Sequence, residues 1–412
     1  MTYKKEILII SKYVSTKING FETRIFTIAK ILVKRGYSVT IISSDSNHLA
    51  HFDSINGLLK IEEIEGVKVF WINTLKYNKS ISLKRVLSWL DFEWKLFILL
   101  LFSKIKINGI TIVSSLSLLS IINALLFKRR NAKIIFEIRD IWPLTLVEEG
   151  GYSESNLAVK FLGFVERIGY IKSDFVVGTM PNLKSHVDRM VGKNKVSVGF
   201  VPFGYKKEKN LIISQKNSEI DHIMSLTRDK FVLCYAGSLG LTNGLDSLIE
   251  IIKLYDKRNI KDVFFLIVGD GSMSVNYQNQ LYSCKNVLFT GKVPRDSVPS
   301  YLKLANLLYF SSLPSKVWDY GWSPNKIIEY MSSGKPVLAA YDGYRSMINE
   351  ANSGFFIKSN NIVELDIAIH RIKNMKSSLL LDMGSSGEKW LIQNRDWESI
   401  ADSYEQIFDE LK

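Results

Sequence analysis

Short β-branched runs alternate with amphipathic helical stretches along this chain, and the alternation runs through twice, broken once after Val201-Pro202-Phe203-Gly204. Parallel sheets covered by helices demand such a pattern, because each strand is buried on both faces and each helix shows the sheet one apolar stripe. In the first half, strands are expected at Ile7–Ser11, Ser38–Ser43, Val67–Ile72, Thr111–Val113, Ala132–Glu137 and Phe175–Gly178. A helix over Thr23–Arg35 ends at Gly36, a residue suited to a helix stop. After the break, Lys206, Lys207, Glu208, Lys209 and Asn210 read as a polar linker. Strands resume at Phe231–Ala236, Val263–Val268, Val287–Phe289, Leu307–Phe310 and Pro336–Ala339. The fold class is therefore α/β, with two doubly wound, Rossmann-like domains facing across a cleft, and the chain's 412 residues suffice for both cores. The expected boundaries are 1–205, 206–389 and a closing amphipathic helix in 390–412, which carries Trp397, Ile400, Ala401, Tyr404, Ile407 and Phe408 at helical spacing.

Charge separates the halves. Residues 1–205 hold 29 Lys and Arg against 17 Asp and Glu, a net +12, whereas residues 206–412 hold 25 against 24. A membrane surface with acidic lipids and a phosphorylated acceptor fits this better than nucleic acid; the alternative is charge that serves solubility alone. Residues 107–127 carry no charge, but Asn108, Gly109, Thr111, Ser114 and further polar residues interrupt them, so no membrane span is expected. Leu96–Phe102 belongs to an apolar helix beginning near Val86, with Trp89, Phe92 and Trp94 nearby and Lys95, Lys104 and Lys106 flanking; it suits either interfacial attachment or a core. The amino terminus reads as a first strand and not as a signal peptide, and Cys234 and Cys284 read as small buried hydrophobes, so the expected location is the cytoplasm.

Ligands of doubly wound sheets lie beyond the carboxyl ends of the strands. In the second half three such ends carry glycine: Gly237 and Gly240, continuing to Asn243; Gly269-Asp270-Gly271; and Gly291. Glycine lets backbone approach a phosphate closely. The strongest motif is Ser323-Pro324-Asn325-Lys326, with Glu329 one turn further. Ser323 suits an N-cap and Pro324 the first helical position, which makes an anion site to which Lys326 adds a full charge. A cation for the diphosphate beside a carboxylate for the ribose hydroxyls describes a nucleotide-sugar site; the plain alternative is a surface ion pair on a capped helix. In the first half Arg139 and Asp140 follow a strand, where the arginine can hold phosphate and the aspartate can orient or deprotonate a hydroxyl. Gly20, with Arg24 beyond it, is expected to face the donor diphosphate from the other side. None of the five histidines is assigned a role.

These motifs together (Arg139-Asp140-Ile141-Trp142-Pro143, the 237–246 loop, Gly269-Asp270-Gly271 and Ser323–Glu329) resemble glycosyltransferase family 4, retaining enzymes of GT-B fold. Within it the chain resembles the O-antigen and capsule transferases that add amino sugars such as N-acetylfucosamine. The resemblance implies a UDP-sugar donor, a lipid-linked saccharide acceptor at the cytoplasmic face of the inner membrane, and a final helix crossing back onto the first domain. Three departures stand out. Asn19-Gly20-Phe21 has one glycine where the family often has two, Gly321 stands where the family has the first of two glutamates, and Ser238 and Asn243 replace its Arg and Lys. Lys326 is the candidate for the missing charge. No Asp-x-Asp occurs, which fits a site without metal and with no cofactor beyond the donor substrate. Alternatives on the same architecture are a sugar-nucleotide epimerase and a non-catalytic nucleotide-sugar binder.

Overall fold

A computed structural model describes residues 5–47, 50–53, 55–77, 82–103, 105–114, 119–206, 218–322 and 325–411. The chain divides into two compact units, Met1–Gly204 with Trp397–Lys412, and Tyr205–Asp396.

The first unit is built on eight strands: β1 (Glu6–Ile10), β2 (Ser38–Ser44), β3 (Leu59–Ile64), β4 (Val67–Ile72), β5 (Ile110–Ser114), β6 (Lys133–Ile138), β7 (Phe175–Gly178) and β8 (Val198–Phe200). Their order is β3-β4-β2-β1-β5-β6-β7-β8, so the winding reverses between β1 and β5. All neighbours are parallel except β3 and β4, a hairpin turned by Glu65 and Gly66, both at positive φ. Ile7, Ile9, Ile41, Ile112 and Ile135 project from the central strands into one core with Phe26, Ile28 and Leu32 of the Arg24–Lys34 helix.

The second unit carries six parallel strands: β9 (Phe231–Ala236), β10 (Val263–Val268), β11 (Val287–Gly291), β12 (Leu307–Ser311), β13 (Val337–Ala340) and β14 (Gly354–Ile357). Their order is β11-β10-β9-β12-β13-β14, with the reversal between β9 and β12. β10 is buried at every position, as a strand covered on both faces must be.

The closing segment differs from the expected single helix over Trp390–Leu411. One helix, Ser377–Asn394, ends before Arg395 and belongs to the second unit; another, Trp397–Glu410, belongs to the first. The latter sinks Ile400, Tyr404, Ile407 and Phe408 into the first unit's core. Arg35 clamps its outer side, reaching Glu398 at 2.8 Å, Asp402 at 2.7 Å and Glu405 at 2.5 Å. In the second unit Tyr205 and Asp396 pair as an isolated bridge, and in the first Gly204 packs so tightly on Trp397 that a Cβ there would lie 2.3 Å from the indole. Of the expected linker, residues 207–210 lie outside the described residues. Cys234 is buried, but Cys284 is only half-buried.

Candidate functional site

The second unit's site begins where β9, β10 and β11 end. The Gly237 N–H donates to Val268 O at 2.9 Å, the Gly269 N–H to Gly291 O at 3.0 Å, and the Leu239 N–H to Asp270 O at 3.0 Å. The loops after the three strands are thus laced backbone to backbone. A Cβ at Gly269 would lie 2.0 Å from the Gly237 oxygen, and one at Gly271 2.6 Å from the Leu239 backbone, so only glycine lets the loops stack. Gly240 opens the short helix Leu241–Asn243. Asp270 is engaged locally, its carboxylate accepting from the Gly271 N–H at 2.7 Å.

The Asn325–Ser332 helix meets this cluster. The Tyr330 hydroxyl accepts from the Ala236 N–H at 2.8 Å and donates to the Ala236 carbonyl at 2.9 Å, pinning the helix to the end of β9. One turn earlier the Lys326 ammonium donates to Asn243 Oδ1 at 2.5 Å and to the Tyr235 hydroxyl at 3.2 Å, over the rings of Tyr235 and Phe310. A Cβ on Gly237 would come within 3.2 Å of that ammonium, so the cation and the bare glycine backbone share one small space. Burial strips water from the ammonium and lowers its pKa to about 8; Glu329, which pulls the other way, is the one acid that counters it. An arriving anion would restore the charge that burial discourages. Glu329 is half-exposed and among the described residues pairs only with Arg295, at 3.4 Å, a weak pair that leaves its carboxylate able to accept from a ligand. Asn325 is exposed, and Ser323, the expected cap, lies outside the described residues together with Pro324. Gly321 takes φ 88°, in the left-handed region. A glutamate there would be strained, so the departure from the two-glutamate pattern is a backbone change as well as a lost carboxylate.

In the first unit the structure places Arg139 and Asp140 directly after β6, but they do not brace each other: among the described residues no ion pair joins them, and Arg139 Nε is buried without a partner. The Arg139 guanidinium lies 5.5 Å from the Phe203 ring. Asp140 is exposed. Gly20 is exposed, with φ 107° and open space around the position of its absent Cβ, and it closes the turn after the Lys17–Asn19 helix. Arg24 departs from expectation. It is buried, ion-paired with Glu137, and donates to Pro202 O at 3.2 Å and Val201 O at 2.7 Å, so it ties core segments together. His186, given no role, is also structural, 2.7 Å from buried Glu166.

Five residues of the first unit, Tyr13, Arg85, Trp89, Trp142 and Glu149, are given no part in the site by the sequence reading. The Tyr13 hydroxyl, just beyond β1, accepts from Trp89 Nε1 and from Arg85 Nε at 3.3 Å. Arg85 lies 5.0 Å from the Trp89 ring, and Trp89 meets Trp142 edge to face at 5.4 Å. They form an aromatic and cationic wall that ends beside Arg139 and Asp140 in sequence. Glu149, downstream, has its carboxyl pushed up to about 7 by burial and by Asp140, which suits a group that exchanges protons near neutrality. Among the described residues no cluster of His, Cys, Asp and Glu could hold a metal ion.

Residues 217–390 match the family model described as glycosyl transferases group 1. No curated protein matches the chain by sequence. Among solved structures, a sucrose-phosphate synthase from Thermosynechococcus elongatus is similar over 99% of both chains, with 16% identity and a TM-score of 0.69. Anabaena HepE in complex with UDP-glucose is similar over 98% of this chain and 100% of its own, with 14% identity and a TM-score of 0.64. The catalytic domain of starch synthase IV from Arabidopsis thaliana, bound to ADP and acarbose, is similar over 99% of both, with 14% identity and a TM-score of 0.67. At these identities the likeness establishes the fold, the two-sheet α/β architecture of GT-B glycosyltransferase structures. The second unit thus carries a group 1 glycosyl transferase match on a GT-B fold.

Proposed function

We propose that this chain is a retaining, metal-independent glycosyltransferase that moves a sugar from a UDP-sugar to a lipid-linked saccharide at the cytoplasmic face of the inner membrane, in the synthesis of a bacterial surface polysaccharide such as O-antigen or capsule. The donated sugar is an N-acetylated amino or deoxy sugar. The observation that carries this reading is the meeting of Lys326 with the glycine loops at Gly237 and Gly269. Stacked glycine backbone beside a cation lacking a strong counter-ion suits a diphosphate, and the leaving diphosphate gains charge as the glycosidic bond breaks. Glu329, on the same helix, takes the ribose hydroxyls. HepE with UDP-glucose and starch synthase IV with ADP show nucleotides and a nucleotide sugar on this fold in other proteins, which supports the donor class. Arg139 holds acceptor phosphate and Asp140 orients the attacking hydroxyl, with the Arg85–Trp89–Trp142 wall offering aromatic faces to saccharide rings.

The test incubates the purified chain with a panel of nucleotide sugars, with and without a lipid-linked saccharide, and measures released nucleoside diphosphate. Acceptor-dependent UDP release from one UDP-sugar is the expected result. Nucleotide binding without turnover on any acceptor would instead identify a binding protein.

A further inference from the structure

Two helices of the first unit are apolar on the wrong side as well as the right one. The Leu83–Phe102 helix buries Phe92, Leu96 and Leu100, and the Leu157–Lys172 helix buries Val159, Val165 and Tyr170. Their outer sides should be polar. On the first, however, Leu83, Leu87, Leu90 and Trp94 recur at helical spacing in the open, Leu83 exposed by 74% and Trp94 by 63%. On the second, Leu157, Phe161 and Phe164 do the same at 83%, 55% and 62%. The Ser120–Leu126 helix packs against both and adds exposed Leu126, so one short helix links the two that carry the stripes. Scattered exposed apolar residues need no explanation; two stripes at helical spacing do.

The exposed charge on the two helices themselves has one sign. Lys84, Lys160, Arg167 and Lys172 are exposed on the two helices, and Arg129 and Arg130 follow the Ser120–Leu126 helix. The acids of the two helices are withdrawn: Asp91 is bound by Lys95 at 2.9 Å, Glu93 accepts from Ser120 and Asn123, and Glu166 is buried against His186. No helix among the described residues is long and apolar enough to cross a membrane. Exposed Trp, Phe and Leu with exposed Lys and Arg alongside match what an interfacial helix presents to lipid.

We infer that this face docks on a bilayer surface carrying anionic lipids, its apolar stripes entering the headgroup boundary while Lys84, Lys160 and Arg167 meet lipid phosphate. A second copy of the chain is a poorer occupant, since pairing the face with itself sets these cations against one another. The inner side of the Leu83–Phe102 helix supplies Arg85 and Trp89 to the wall at Tyr13, so the lipid surface lies one helix away from that cluster. The inference deepens the reading of a lipid-linked acceptor and is tested independently of it.

Sedimentation of the full chain with vesicles of phosphatidylcholine, with or without phosphatidylglycerol, reads the docking directly. Binding should require the anionic lipid and weaken as salt rises. Lys160→Gln and Arg167→Gln should each weaken it about fivefold, and Leu90→Asp and Phe164→Asp by about tenfold or more. Unchanged melting and unchanged UDP binding certify that each variant is folded, and the two charge variants suffice should an apolar one fail to fold. Absence of binding to anionic vesicles overturns the inference. So does equal binding by Leu90→Asp and Phe164→Asp, or a solution dimer that these variants abolish while vesicle binding persists. A chain that docks but transfers no sugar loses only the proposed function; one that transfers sugar but ignores vesicles loses only the docking.

Discussion

Lys326 and Asn243 are 83 residues apart, yet the lysine's ammonium donates to the asparagine's side-chain oxygen at 2.5 Å, beside the bare backbone of Gly237. A neutral partner holds the cation in place without neutralising it, and that is the arrangement a site needs if its charge is reserved for a ligand. In place of a basic side chain of its own, the 237–246 loop offers Asn243, which holds a lysine that comes from another helix.

The first consequence is kinetic. Lys326→Ala should lower kcat by about 10²-fold or more, because charge on the leaving group grows toward the transition state, while nucleotide affinity falls less. Glu329→Ala should instead weaken nucleotide binding, by roughly tenfold on the worth of a charged hydrogen bond, with a smaller effect on kcat. Steady-state kinetics with calorimetric titration of UDP separates the two. Normal activity in both variants would remove these residues from the site.

The pH dependence follows from the same lysine. With its pKa lowered to about 8 by burial, Lys326 is charged below that pH and neutral above it, so kcat/KM, which reports the free enzyme, should fall as pH rises through about 8. Asn243→Asp puts a carboxylate against the ammonium and should move that limb upward. Stability runs the opposite way. The unfolded lysine holds its proton up to its ordinary value near 10.5, so the folded state binds fewer protons between the two values. Stability should therefore rise with pH across that window, and the cost of burying the charge is present in full below it. Lys326→Met should raise the melting temperature at pH 7; a lowered one contradicts a desolvated lysine.

Gly269 and Gly291 form a paired control. Both have positive φ, but a Cβ at Gly269 strikes the Gly237 oxygen at 2.0 Å, whereas at Gly291 it meets open space. Gly291→Ala should cost only about 1–2 kcal/mol of backbone strain. Gly269→Ala should cost clearly more and abolish UDP binding, because the loops must separate. Denaturant unfolding and UDP titration of the two variants give the comparison, and equal effects would mean that loop stacking does not shape the site.

Turnover should survive EDTA. The proposed charge on the leaving diphosphate is met by Lys326 and backbone amides, and no Asp-x-Asp occurs in the chain. UDP release assayed with chelator, then with added magnesium, decides the point. Complete loss restored by magnesium would sink the metal-free mechanism.

Legibility in the sequence followed burial. Continuous apolar runs such as Val263–Val268 mark central strands plainly, since both faces are covered. β3, β8 and β14 went unread. β3 (Leu-Lys-Ile-Glu-Glu-Ile) is an exposed antiparallel edge with polar residues on it, β8 has only three residues, and β14 is a half-buried edge. In the site, glycine loops and Lys326 announce themselves through local motifs. Tyr13, Arg85, Trp89 and Trp142 come from three separate segments, and no local pattern links them. Arg24 misled for the same reason: its partner Glu137 lies 113 residues away, and only the fold shows that the pair is internal.

That pair also ties the closing helix to the first unit. Arg24 is buried against Glu137 and donates to the backbone of Val201 and Pro202, and its guanidinium lies 5.8 Å from the Tyr404 ring. Arg24→Ala leaves Glu137 charged and unpaired in the core and should cost about 3–5 kcal/mol. Deleting residues 397–412 removes Ile400, Tyr404, Ile407 and Phe408 from the same core and uncovers the apolar stripe of the Arg24–Lys34 helix. Because this helix belongs to the first unit by packing although it follows the second in sequence, the damage should appear far from the cut in the chain. Hydrogen exchange on the truncated protein should show lost protection in β1, β2 and the Arg24–Lys34 helix, with β9, β10 and β12 keeping theirs. Protection lost mainly within 218–396 would contradict this assignment of the helix.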